Sequence, residues 1–275
     1  MLRFAPPNGT GYRRIDMVSP MPVSKAAQAF RELIKLRHPD RGLDDIDEFT
    51  QARLERAAME SMAVDPADAY QLLGALAAVR WDGDAVRSCF ERAVDSGGGH
   101  VALANFSRAL YDLNQVRDAS IPLEQAVAAA PEQLAYLKQA ISNRLIVGDW
   151  EQALELLDML ELRAQDVGED MLRARKVIKF AEKLGLRAST VGESLGIALN
   201  FLAKERVRVM GVSDVMDDIV EDSAIYFDIF VHAPPATAED LDERLTPILF
   251  DGVQDMQLSV FCLTIKSVQG DHGSN

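Results

Sequence analysis

The sequence predicts a mainly α protein. An α-solenoid of helical hairpins is preceded by a helical N-terminal module and followed by a small C-terminal α/β unit of strand–helix–strand type. Three observations predict it. From Lys25 to about Arg208, apolar residues recur at helical spacing almost without a break. Within that stretch, small and large apolar residues return at intervals of thirty-three and thirty-four residues. Further on, Ile225, Phe227, Ile229 and Val231 alternate with Tyr226, Asp228 and Phe230, the two-residue period of a strand.

Taken in order, residues 1–11 hold two Pro and two Gly and read as an unpaired arm. Residues 12–64 form a helical module broken at His38–Gly42. Residues 65–210 carry the repeats, with breaks at Asp65–Pro66, Ser96–Gly99, Pro131, Gly148 and Gly185. Residues 211–269 make an acidic α/β module: a strand ending at Pro234 and Pro235, a helix over Thr237–Phe250 with Thr237 as N-cap, and a strand over Gln257–Val268. Such a unit is too small to stand alone and must pack on the helices or on a second copy. Residues 270–275 form a tail.

The repeat has a packing logic. Tyr70, Leu73, Gly74 and Ala77 face inward on one helix, with Val86, Phe90 and Ala93 on the next. The pattern returns as Leu103, Phe106, Ser107 and Leu110 with Ala119, Leu123 and Ala126, closed by Pro131. It returns again as Leu137, Ala140 and Ile141, followed by Gly148, Asp149, Trp150 and Ala153. Small residues such as Gly74, Ser107, Ala119 and Ala153 let two helices approach, and Tyr70, Phe90, Phe106 and Leu123 fill the gaps between them. Stacked pairs leave a concave face built from the first helices, where Gln71, Asn105, Arg108, Tyr111, Lys138 and Gln139 are expected.

This spacing resembles the tetratricopeptide repeat over roughly residues 67–166. The resemblance implies a protein or peptide segment bound in the groove. Asn105 sits at a position like that of a carboxylate clamp, but Gln71 and Ala75 stand where such a clamp offers Lys and Asn, and Ile141 stands where a small residue is preferred. Arg108 and Lys138 suit an acidic ligand through charge-assisted contacts.

Residues 28–42, QAFRELIKLRHPDRG, resemble the J domain of DnaJ-type co-chaperones, a likeness extending over about residues 12–62. It implies that Arg31, Lys35, Arg37, His38, Pro39 and Asp40 contact a DnaK-type chaperone and stimulate its ATP hydrolysis. A net-positive helix speeds encounter with an acidic surface. The following helix, FTQARLERAAMESM, lacks the Ala-Tyr pair usual there, and Arg53 and Arg56 interrupt its apolar face.

Composition narrows the rest. The chain has 275 residues and a mass of 30.3 kDa, which predicts two or three domains. A net charge of −14 argues against a nucleic-acid partner. No apolar run is long enough for a membrane span, and no secretory signal pattern opens the chain. Two cysteines, Cys89 and Cys262, make no disulfide framework, so a reducing cytoplasm is expected. Residues 1–41 carry eight basic and three acidic side chains, whereas residues 213–275 carry thirteen acids against Arg244 and Lys266.

Four scattered histidines, no Gly-rich phosphate loop and no GxSxG elbow predict neither cofactor nor enzymatic activity. Asp214, Asp217, Asp218, Glu221 and Asp222 form an acidic cluster; at helical spacing four of them share one face, able to hold a divalent cation or to dock a basic surface. Residues 181–195 resemble a DNA-binding helix-turn-helix in the placement of Ala181, Gly185 and Val191, but Arg187 is their one basic residue past the turn, and a helix pair of the solenoid is the better reading. Three functions stay open: a chaperone-recruiting adaptor, a plain repeat scaffold or regulator, and a metal-dependent enzyme at Asp214–Asp222. An exposed strand edge in the C-terminal unit predicts a homodimer.

Overall fold

The computed structural model describes residues 24–36, 46–217, 223–253 and 260–269, without the side chains of Asp170 and Asp217. Arg37, His38, Pro39, Asp40, Asp218, Glu221 and Asp222 lie outside the described residues, as do the predicted arm and tail. The chain is mainly helical. Eleven α-helices are described: α1 (Lys25–Leu36), α2 (Glu48–Ser61), α3 (Pro66–Val79), α4 (Gly83–Ala93), α5 (Gly99–Asp112), α6 (Val116–Ala129), α7 (Leu134–Ile146), α8 (Trp150–Arg163), α9 (Glu169–Lys183), α10 (Ala188–Lys204) and, near the C-terminus, α11 (Pro235–Gly252). Three strands accompany them: β1 (Val209–Asp217), β2 (Ala224–Val231) and β3 (Phe261–Ser267).

Each helix begins and ends for local reasons. Asp47, Asp65 and Asp82 accept from the backbone N–H of Thr50, Asp68 and Ala85 and so cap α2, α3 and α4. The ends of α3, α5 and α7 repeat one device. Trp81 (φ 59°), Asn114 (φ 59°) and Gly148 (φ 76°) each turn left-handed, and the next N–H bonds back to a carbonyl five residues earlier: Asp82 to Ala77, Gln115 to Leu110, Asp149 to Arg144. These three positions are thirty-three and thirty-four residues apart, the spacing seen in the side chains. The break at Ser96–Gly99 is a kink between α4 and α5, where Gly97 takes a left-handed φ of 91°.

The small residues expected inward are buried, whereas Tyr70, Leu73, Leu103 and Phe106 are half-buried. Gly74, Ser107, Ala119 and Ala153 are buried between paired helices. A Cβ on Gly74 would stand 2.6 Å from the Phe90 ring, so α3 and α4 meet where only hydrogen fits. Phe90 in turn stacks on Phe106, with ring centroids 5.4 Å apart. Ile141, at a position expected to be small, is fully buried with Leu137, Leu157 and Leu160.

The α1–α2 hairpin continues this packing. Ala26, Ala29 and Leu33 of α1 and Leu54 and Ala58 of α2 share a core with Ala69, Leu72, Leu76 and Val79 of α3. Arg53 does not interrupt it: its guanidinium points out and pairs with Glu32 of α1. Lys25 pairs with Glu60 at 2.8 Å, and Ser61 accepts from the N–H of Ala26.

The sheet has order β1-β2-β3, with β1 antiparallel and β3 parallel to β2. A parallel pair needs a crossover, and α11 supplies it. The helix starts two residues before Thr237, at Pro235, with no side-chain cap. Ile225, Phe227 and Ile229 of β2 and Phe261, Leu263 and Ile265 of β3 join Val191, Leu195 and Leu202 of α10 and Leu241, Leu245 and Leu249 of α11 in one core. The C-terminal unit therefore packs on the helices. Residues 181–195 are a helical hairpin whose Ala181, Leu186, Val191 and Leu195 are all buried in that core. Gly192 of α10 crosses the turn after α7 so closely that a Cβ would lie 2.8 Å from the Cα of Gly148.

One expectation fails here. Asp214 and Asp217 lie on β1, not on a helix. A strand backbone does not give positions three residues apart the common face that a helix would. Val215 between the acids, with Val209 and Val212 before them, gives the segment a strand's preference, and pairing with β2 fixes it. No group of three metal-ligating side chains occurs among the described residues.

Candidate functional site

The residues expected on the concave face come from three first helices, α3, α5 and α7, and they do not all face outward. Gln71 is buried and accepts from Asn105 Nδ2 at 2.8 Å, an amide bridge between α3 and α5. Tyr111 is largely enclosed by the core that runs into the sheet, and burial pushes its phenol pKa up, with Arg108 partly opposing the shift. Arg108 itself is exposed. Its guanidinium lies 5.2 Å from the Tyr111 ring centroid and donates to Asp112 at 3.2 Å. One turn-spaced set on α5 is thus an aromatic floor with a cation above it and a buried carboxylate beside it.

Lys138 is half-buried on α7 and makes no ion pair among the described residues; its ammonium lies near Gly168. Gln139 also turns inward: its Nε2 is buried with no hydrogen-bond partner. The same holds for both amide atoms of Asn143, one turn further along α7. Sequence reasoning did not single out Asn143, whose helical position resembles that of an ordinary polar surface residue.

Beside Arg108 a shallow depression of about 70 Å³ opens between α1, α3 and α5. Phe30 and Ile34 of α1 form one wall, and Asn105, Arg108 and Asp112 of α5 the other. Ile34 is 54% exposed, a large apolar side chain left in water at the lip. Arg31 and Lys35, the two described members of the expected chaperone-contact set, are exposed on α1. The structure so brings Arg31, Lys35, Asn105 and Arg108 onto neighbouring helices; it places Gln71, Tyr111 and Gln139 in supporting positions beneath or beside the surface.

Two residues that sequence reasoning passed over pin the sheet to the helical array. Arg208 is 3% exposed, donating to the carbonyls of Asp112 (2.7 Å), Ala78 (2.9 Å) and Val79 (3.0 Å) at the ends of α5 and α3. Asn114 donates to the carbonyl of Val207 at 2.8 Å and accepts from the N–H of Val209 at 3.0 Å, as a neighbouring strand would. Helix C-terminal carbonyls attract a cation, which is why Arg fits there. The signal available in the sequence was small: a basic residue at the boundary where the period changes.

The two thiols show no activation. Burial pushes the pKa of both Cys89 and Cys262 up, opposite to the shift that makes a thiolate nucleophile. No helix among the described residues is long and apolar enough to cross a membrane. No family model, no curated protein and no solved structure matches this chain.

Proposed function

We propose that this protein is a non-enzymatic adaptor that binds a peptide or protein segment across α1, α3 and α5. The observation that carries this reading is the lip formed by exposed Ile34 and half-buried Phe30 beside Arg108, with Arg31 and Lys35 on the adjoining surface of α1. An apolar anchor rimmed by guanidinium and ammonium groups suits a segment that carries one apolar side chain next to carboxylates. The repeat spacing, the matched left-handed helix ends and the close approach at Gly74 support a tetratricopeptide-like stack as the scaffold. The basic exposed face of α1 supports a DnaK-type chaperone as the partner, in a reducing cytoplasm.

A second reading draws on a specific observation. The α1–α2 hairpin is bound into the α3 core by Ala26, Ala29, Leu33, Leu54 and Ala58. A terminal hairpin that covers the apolar end of a stack is needed whether or not it recruits anything. On that reading the protein is a plain scaffold and α1–α2 is its cap.

A steady-state ATPase assay with a purified DnaK-type chaperone separates the two. Stimulation by the full chain, lost in His38→Gln and reduced in Arg31→Glu, supports recruitment. An unchanged ATPase rate leaves only the scaffold. Titration of a fluorescent acidic peptide with an apolar anchor against Arg108→Glu tests the groove: equal affinity for both forms of the protein removes Arg108 from it.

A further inference from the structure

A second opening lies away from the groove on α1, α3 and α5. A cavity of about 480 Å³, open on one side, sits where α7, α8, α9 and α10 meet β1 and β2. Its volume falls in the range of sites for small organic molecules, and the junction of two architectural units is a usual place for one. The wall is apolar and is drawn from separate elements: Ile146, Trp150, Ile178, Leu195 and Phe227 are all buried side chains that reach it.

The polar groups gather on one flank. Arg173 of α9 bridges to Asp214 of β1, with Nε 2.8 Å from Oδ2 and Nη2 2.7 Å from the backbone carbonyl. Nη1 of Arg173 and Oδ1 of Asp214 take no part in that bridge. Ser142 of α7 also lines the cavity, and Ser213 borders it through its backbone, since its side chain falls on the face opposite to Asp214 and Phe227. Ser142 uses its proton on the carbonyl of Lys138, at 3.2 Å, and keeps its oxygen as an acceptor. Because Arg173 and Asp214 cancel each other's charge, a full charge on a ligand gains little there. Donors and acceptors nevertheless stand side by side, ready for a head group that has both.

We infer that this cavity is a binding site for a small, mainly apolar molecule that ends in an uncharged hydrogen-bonding group, such as an amide, an alcohol or an arylamine. The apolar body fills the space between Trp150, Ile178 and Phe227, and the polar end meets Arg173 and Asp214. The Arg173–Asp214 bridge ties α9 to β1, so the occupant touches both the helical array and the sheet. This site is independent of the groove on α1, α3 and α5.

Fluorescence titration with N-phenyl-1-naphthylamine, a neutral apolar probe with one N–H, tests the proposal on the full chain. Saturable binding of one probe per chain is expected, with quenching of Trp150 emission by energy transfer. Trp150→Phe is expected to remove most of that quenching while the probe still binds. The anilinonaphthalene sulfonate of similar body carries a fixed negative charge, and its affinity is expected to be lower by about tenfold, the equivalent of one lost polar contact. Ser142→Phe and Ala174→Leu place carbon inside the cavity from two different helices, and each is expected to weaken the probe by tenfold or more at an unchanged far-ultraviolet circular dichroism spectrum. If either variant fails to fold, the other decides. Absence of saturable binding overturns the site. So does equal affinity in both filled variants, or tighter binding of the sulfonate than of the neutral probe.

Discussion

The guanidinium of Arg208 lies over the indole of Trp81, 4.3 Å from the ring centroid, at the boundary between the helical array and the sheet. Trp81 holds φ at 59°, a left-handed conformation that a bulky residue adopts only when its surroundings compel it. Arg208 is part of that compulsion. It donates to the carbonyls of Ala78, Val79 and Asp112; Ala78 also accepts from the N–H of Trp81 at 3.1 Å, whereas Val79 and Asp112 accept from no other backbone N–H among the described residues. One buried cation thereby ends two helices, covers a strained tryptophan and fixes the chain as it enters β1.

Arg208→Met keeps most of the volume and removes all three donors. The carbonyls of Val79 and Asp112 are then left buried without a partner, and the expected loss of stability is about 2 kcal/mol or more, at about 1–3 kcal/mol for each unpaired group. Arg208→Lys is expected to recover only part of this, since a single ammonium cannot reach both helix ends as the two guanidinium nitrogens do. Urea unfolding followed by circular dichroism measures it. A change below about 1 kcal/mol for Arg208→Met would show that water reaches these carbonyls.

Asn114 carries two roles that substitutions can separate. Its backbone is left-handed at φ 59°, and its amide pairs with both Val207 and Val209. Asn114→Gly keeps the conformation and loses both hydrogen bonds, at an expected cost of about 1–2 kcal/mol. Asn114→Ala loses the bonds and adds left-handed strain, so it is expected to cost about 1 kcal/mol more. Equal stability of the two variants in thermal melts would mean that the strain term is absent.

Much of this fold is legible in the sequence because packing repeats. Gly74, Ser107 and Ala153 announce helix pairs, and the alternation at Ile225–Val231 announces β2. The helix ends were harder. Trp81 and Asn114 occupy a place where Gly is the usual signal, as at Gly148, and neither side chain by itself marks a left-handed turn. Strand β1 was hidden by its acids: charge at Asp214 and Asp217 masked a β preference that only the neighbouring β2 makes visible. At the candidate groove, the identity of the residues was readable but their direction was not. Gln71 and Tyr111 sit on the expected helices, yet a partner amide and the core of the adjoining unit bury them.

Asp242 gives the C-terminal unit a pH dependence. Its carboxylate accepts from the N–H of Ile265 at 2.7 Å and protects β3. Burial pushes its pKa up, the N–H of Ile265 pulls it down, and nearby Asp228 and Glu243 add to the rise. An acid with a raised folded pKa weakens the fold once it ionises, so its contribution to stability improves as pH falls through the folded value and is level below the unfolded one. Asp242→Asn retains the acceptor without the charge. The variant is expected to melt higher than the wild type at pH 7 and to lose that advantage by about pH 3.5, below the unfolded carboxylate range. A melting difference that does not vary with pH would place the effect elsewhere than in ionisation.

Gly74 and Phe90 are a coupled pair, and the coupling can be measured. Alanine usually favours a helix over glycine by about 1 kcal/mol, so Gly74→Ala should stabilise α3 if space were free. Space is not free, because the added methyl would stand 2.6 Å from two atoms of the Phe90 ring. That ring is 0% exposed and stacked on Phe106, so it cannot swing aside without disturbing the next helix. Gly74→Ala alone is therefore expected to destabilise by about 1–3 kcal/mol through overpacking. Phe90→Leu alone leaves a void and is expected to cost about 1–3 kcal/mol, less than full truncation to alanine. Combined, the methyl enters space that the ring has left, and the double variant is expected to be more stable than the sum of the two losses by about 1 kcal/mol or more. Urea unfolding of all four proteins gives the cycle. Simple additivity would mean that α3 and α4 separate to admit the methyl, and that the small residue at this point of the repeat does not set their distance.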